Sequence, residues 1–208
     1  MGHAVHAEMS KKQPTIYQGH TISVAETAST LFESLVFEKV FKTLTPKEQI
    51  VALHDRLNSD ISTVFRQIAF FNFELELHRN IREKGKLTKE EIAALLNKHM
   101  SAYLGPTVKM EALDGNFFIL VSHFRRFFYV YAYTYGQLIS KAMTAEYVAD
   151  PKRFAPKIKQ FLTAGESMSP EDIFKGIGID TTHPTFFSEG LMAIENDIER
   201  LEKLTQAR

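Results

Sequence analysis

Residues 45–82, TPKEQIVALHDRLNSDISTVFRQIAFFNFELELHRNIR, decide the fold class. Thr45 stands three positions before Glu48, with Pro46 at the first helical position between them. In that pattern the hydroxyl and the carboxylate each accept a backbone N–H that a helix leaves unpaired at its start, and proline has no N–H to leave. Farther on, Ile61, Val64, Phe65 and Ile68 return every three or four residues, which lines one face of a helix and does not fit the alternation of a strand. The stretch predicts a long helix over 46–82.

The same signals recur on both sides. Thr88-Lys89-Glu90-Glu91 is a second capping box, and Ser169-Pro170-Glu171-Asp172 repeats the idea. Leu191, Ile194, Ile198 and Leu201 form another apolar face. Helices are predicted over 21–43, 46–82, 89–103, 118–147, 151–163, 170–176 and 185–205, joined by short loops within a single α-helical domain spanning 1–208. One segment resists. Phe127–Tyr135, FFYVYAYTY, places Tyr129, Tyr131, Tyr133 and Tyr135 at the two-residue period of a strand. A lone strand would leave its backbone groups unpaired, so the segment is assigned to the 118–147 helix.

Composition narrows the chemistry. The 208 residues are 44% hydrophobic and include 17 Phe, ample material for a core. Lys plus Arg equals Asp plus Glu at 25 each, so no global field recruits nucleic acid or an anionic membrane. With no cysteine, disulfides and thiolate metal sites are excluded, and His, Asp and Glu remain as strong zinc ligands. The amino terminus has no apolar run of signal-peptide length, and the longest apolar stretch, near Phe117–Val121, is too short to span a bilayer. A cytoplasmic protein with no membrane partner is the expectation.

Two groups of residues could carry chemistry. Gly2-His3-Ala4-Val5-His6 is followed, after a polar loop, by Val24-Ala25-Glu26-Thr27-Ala28-Ser29-Thr30. Zinc hydrolases commonly combine two His one helical turn apart with a Glu from a second helix, and use a further Glu beside the first His as base. Here only the last His, His3, and the downstream Glu, Glu26, could be present. The bland alternatives are a loose chain end for His3, surface positions for His6 and His20, and an ordinary first-turn charge for Glu26. The second group is His123 with the tyrosines after it, for which a buried aromatic stripe is the alternative.

The chain resembles, nearly end to end, the carboxy-terminal third of oligoendopeptidase F, a bacterial relative of thimet oligopeptidase. Members carry His-Glu-x-Gly-His and then a motif like Ala-Glu-x-Ala-Ser-Thr. Met1-Gly2-His3 matches the last three residues of the first motif, and Ala25-Glu26-Thr27-Ala28-Ser29-Thr30 matches the second. The likeness continues through Thr63-Val64-Phe65-Arg66-Gln67, Phe73-Glu74, Ser122-His123-Phe124, Phe128-Tyr129-Val130-Tyr131 and Gly178-Ile179-Asp180.

The resemblance implies an all-α, gluzincin-like zinc-peptidase catalytic lobe, truncated at its amino terminus, from an enzyme that hydrolyses short peptides. It implies His3 and Glu26 as two zinc ligands, and His123, Tyr129 and Tyr133 as the groups that bind substrate and stabilise the oxyanion. Tyr129 and Tyr133 would share one helical face, with Tyr131 and Tyr135 on another. Arg66 and Glu74 are expected in buried or cleft-lining structural roles, and Glu33 is read as an ordinary helix-surface carboxylate, with a partner to a ligand as the alternative. The first His and the Glu of the motif are absent from these 208 residues. Zinc is therefore expected to be held weakly or not at all, and the chain alone to be inactive. Its partners would be short peptides and the missing amino-terminal region, with self-association possible through apolar surface left uncovered. The alternative function is a non-catalytic helical peptide-binding or scaffold module derived from the same fold.

Overall fold

A computed structural model describes residues 1–206, and among them every regular element is helical. The α-helices are α1 (Gly2–Ser10), α2 (Ile22–Phe41), α3 (Pro46–Ile61), α4 (Gln67–Lys84), α5 (Lys89–Leu104), α6 (Tyr131–Ala149), α7 (Pro151–Thr163), α8 (Pro170–Gly176) and α9 (Phe186–Gln206). No helix among the described residues is long and apolar enough to cross a membrane.

The start signals at Thr88 and Ser169 work as the sequence predicts, whereas at Thr45 the hydroxyl donates to the Glu48 carboxylate instead of accepting a backbone N–H. Thr88 and Glu91 close a reciprocal capping box, Glu48 accepts from both the backbone N–H and the hydroxyl of Thr45, and Ser169 accepts the Asp172 N–H. These hydrogen bonds hold the Glu48 carboxyl below its usual range.

Two expectations are corrected. The polar segment after His6 is helical as far as Ser10, so α1 exists where no helix was predicted. The 118–147 helix begins only at Tyr131: before it lie short 3-10 turns at Asp114–Ile119 and Ser122–Arg125, then irregular backbone. Phe127 (φ 45°) and Phe128 (φ 56°) are both left-handed, a conformation that no α-helix or strand of L-residues continues through. The helix predicted over 46–82 is realised as α3 and α4 with a π turn at Ser62–Arg66 between them.

The chain divides into two compact units. One comprises Met1–Asp60 with the chain from Tyr135 onward, and the other comprises Ile61–Thr134. In the first, the core gathers Val24, Ala28 and Leu31 of α2, Ile139 and Met143 of α6, and Phe154, Phe161 and Phe174 from α7 and α8. It also contains a buried ionic knot. Lys141 on α6, 2% exposed, lies 2.7 Å from Asp60 of α3 and 3.9 Å from Asp197 of α9. Arg56 and Arg200 also engage Asp197, at 3.2 and 2.7 Å. Burial and the neighbouring Arg56 charge lower the Lys141 pKa, while the two aspartates oppose that shift. In the second unit, Phe70 and Phe73 of α4 pack with Leu96 of α5, Val121 and Val130.

Candidate functional site

In the first unit, two small-residue contacts fix α2 around Glu26. On α1 the buried residues Gly2, His6 and Ser10 stand four apart on one face, and His3, one position round, is exposed. A β-carbon on Gly2 would fall 2.7 Å from both the Ala28 carbonyl oxygen and the Ser29 Cα. Only glycine lets α1 approach α2 this closely, and the contact lies next to His3 and within one turn of Glu26. On α6, a β-carbon on Gly136 would meet the Thr27 nitrogen at 2.9 Å and the Glu26 carbonyl carbon at 3.0 Å. Thr30, one turn after Glu26, sends its hydroxyl to the Glu26 carbonyl oxygen at 2.9 Å and reaches the Gly136 carbonyl oxygen at 3.3 Å. The run Ala25–Thr30 is thus small enough to accept α1 and α6 closely, with half-buried Glu26 as its one long side chain.

The segment between α1 and α2 is tied down rather than loose. Gln13 donates to the Thr163 carbonyl at 2.9 Å, the Glu166 N–H donates to Tyr17 at 2.8 Å, and Ser10 donates to Gln18 at 2.9 Å. It carries His20 onto His6, where the two imidazoles stack with centroids 3.9 Å apart and planes 12° from parallel. Phe161 stacks on His6 at 5.5 Å. Neither ring nitrogen of His6 has a hydrogen-bond partner within the protein. Burial first, then the charges of His20 and His3, lower its pKa from 6.5 to about 4.

Imidazole nitrogen and carboxylate oxygen are donor types that zinc accepts, and His3 and Glu26 stand on the two helices that meet at Gly2. Among the described residues no set of three or more His, Asp or Glu side chains is grouped to hold a metal ion. Glu33 is exposed.

In the second unit His123, Tyr129 and Tyr133 meet. His123 Nε2 and the Tyr133 hydroxyl form a 3.0 Å hydrogen bond. The His123 ring lies 5.2 Å from that of Tyr129 and 5.6 Å from that of Tyr133, and the two tyrosine rings lie 5.6 Å apart. The meeting does not come from a shared helical face, because Tyr129 precedes α6. Tyr131 packs instead towards Phe71 at 6.4 Å.

Two anchors set this arrangement. Thr134, at the start of α6, reaches the Thr63 and Val64 carbonyl oxygens at 3.2 Å each, within the π turn. Glu74, fully buried on α4, accepts the Phe128 N–H at 2.7 Å, within the left-handed pair where each residue costs on the order of 1 kcal/mol or more. Burial raises the Glu74 pKa, opposed by that hydrogen bond and by His78 at 3.9 Å. The expected structural role of Glu74 thus takes a specific form, whereas Arg66 is exposed on the π turn. Gly136 and Thr134 went unnoticed in the sequence. A glycine inside a helical pattern was the available signal for the first, and nothing local marked the second.

A family model described as peptidase family M3 matches residues 1–193. Oligopeptidase PepF of Bacillus subtilis (strain 168) is 30% identical over 205 residues, covering 98% of this chain and 31% of that protein. An oligoendopeptidase F homolog of Lactococcus lactis subsp. lactis (strain IL1403) is 28% identical over 208 residues, covering 99% of this chain and 35% of the relative. The crystal structure of oligoendopeptidase-F from Enterococcus faecium superposes with a TM-score of 0.82 at 27% identity, covering 100% of this chain and 38% of that one. The chain therefore spans about a third of the length of the relatives it matches.

Proposed function

The chain belongs to peptidase family M3, and from that premise we propose that it is the helical part of a cytoplasmic zinc-dependent oligopeptidase that hydrolyses short peptides. The observation that carries the reading is the glycine-mediated contact of α1 with α2, which brings together the two helices bearing His3 and Glu26.

On this reading His3 supplies a nitrogen and Glu26 an oxygen to one zinc ion, whose chemistry when bound is to polarise a water and a peptide carbonyl. Gly2 and Gly136 hold the backbone on both sides of Glu26, so its carboxylate is presented from a fixed stretch of α2. His123 orients Tyr133 through their 3.0 Å hydrogen bond. A phenol donates a hydrogen bond to developing negative charge without itself being charged, and on this reading Tyr133 is the group that meets the carbonyl oxygen of a peptide. Tyr129 packs against both rings and restricts their rotation.

A zinc hydrolase needs a third ligand and a general base besides His3 and Glu26, and no histidine in the 208 residues is followed by glutamate. The isolated chain is accordingly expected to bind zinc weakly and to cleave nothing.

The test is to translate the gene including the codons immediately before Met1 and to measure zinc content and hydrolysis of a short-peptide library. One zinc per chain with cleavage, both lost in Glu26→Gln and His3→Ala, is the expected result. A longer product that encodes His-Glu directly before Met1, binds zinc stoichiometrically and still cleaves no peptide would overturn the enzymatic reading.

A further inference from the structure

We infer that Glu74 is a positioning residue for Tyr129: its buried carboxyl accepts the Phe128 N–H and so holds the left-handed Phe127–Phe128 turn that delivers the Tyr129 ring to His123. The inference concerns placement in this chain. Its consequence for catalysis rests on the function proposed above.

The turn needs an external hold. Phe127 and Phe128 adopt φ values of 45° and 56°, where a side chain with a β-carbon crowds its own carbonyl and glycine alone is at ease. Burial does not keep Phe127 there, since it is 78% exposed. Phe128 has ring contacts with His78 at 5.0 Å and Phe71 at 5.8 Å, which fix its side chain but do not select the backbone conformation. The 2.7 Å hydrogen bond from its N–H to Glu74 Oε1 acts on the backbone itself.

Besides that N–H, the Glu74 carboxyl has His78 at 3.9 Å, beyond hydrogen-bond distance. Glu74 is fully buried beside Phe70 and Phe73 on α4, and its second oxygen has no hydrogen-bond partner within the protein. An apolar side chain would avoid that desolvation, so the carboxyl has to be accounted for by what it holds. What it holds is one residue from Tyr129, whose ring lies 5.2 Å from that of His123.

The experiment is ring-to-ring nuclear Overhauser contact between Tyr129 and His123 in isotope-labelled chain, with unfolding followed in parallel. Glu74→Leu should reduce the Tyr129–His123 cross-peaks at least fivefold. Glu74→Gln, whose amide oxygen can accept the same N–H, should keep them within twofold of the parent. Phe127→Gly tolerates the left-handed turn and loses little burial, so Glu74→Leu/Phe127→Gly should recover the cross-peaks to within twofold. Should Glu74→Leu alone fail to fold, the double variant and Glu74→Gln carry the comparison.

Unchanged cross-peaks in Glu74→Leu, their loss in Glu74→Gln, or no recovery in the double variant would each overturn the inference. In a longer, zinc-loaded and active protein, Glu74→Leu should lower kcat at least tenfold with KM within twofold. Cross-peak loss with unchanged kcat would leave the positioning intact and remove Tyr129 from the proposed reaction.

Discussion

Acidification should destabilise the protein through His6. Its imidazole is 0% exposed, stacked between His20 and Phe161, with both ring nitrogens unpartnered. Folding therefore favours the neutral ring and lowers its pKa from 6.5 to about 4. Between those values the unfolded chain binds a proton that the native chain refuses, so stability falls as pH falls. The contribution is whole above the unfolded value and gone below the folded one. At about 1.4 kcal/mol per pH unit, this interval amounts to at most about 3 kcal/mol, a large share of the roughly 5–15 kcal/mol that stabilises a typical domain. The assay is urea unfolding at about pH 7 and about pH 4, comparing the parent with His6→Phe, whose ring can stack but cannot titrate. Carboxylates titrate in both proteins and cancel in the difference. The parent should lose about 3 kcal/mol more than the variant on acidification, and equal losses would refute the reasoning.

Three further outcomes are expected. Lys141→Met leaves Asp60 buried without its 2.7 Å cation and should cost about 3–5 kcal/mol, whereas Lys141→Met/Asp60→Leu should recover most of it in the same unfolding assay. Gly136→Ala forces a β-carbon against the backbone of Glu26 and Thr27 and should cost about 1–3 kcal/mol, measured as a lowered denaturant midpoint. Thr88→Ala removes the hydroxyl that accepts the Glu91 N–H and should cost about 1 kcal/mol, with no effect on zinc affinity by calorimetry.

The helices that could be read in the sequence were those whose ends carry their own chemistry. Thr45, Thr88 and Ser169 announce α3, α5 and α8 because a cap is a local device, complete within four residues. The backbone around Phe127 could not be read that way. Its left-handed turn is accompanied by a hydrogen bond to Glu74, 54 residues earlier, and no window around FFYVYAYTY contains that partner. Alternating tyrosines therefore suggested strand, regularity suggested helix, and the structure has neither before Tyr131. The same distance effect hid α1, whose buried face is only Gly2, His6 and Ser10 and has almost no apolar signature. In the candidate site, the residues came from motif likeness and the supports did not. His123 and Tyr133 were named from the sequence, while Thr134, Gly136 and the α1 contact through Gly2 depend on tertiary approach.

The proposed peptidase function requires His3 and Glu26 to share one ion. Crystals grown with zinc, from protein whose α1 is lengthened by one turn ending in His-Glu before Met1, would answer it by anomalous scattering at the zinc edge. A single zinc should lie about 2.0–2.1 Å from a His3 nitrogen and about 2.0–2.2 Å from a Glu26 oxygen. A zinc bound by only one of the two, or only elsewhere on the molecule, would contradict the account.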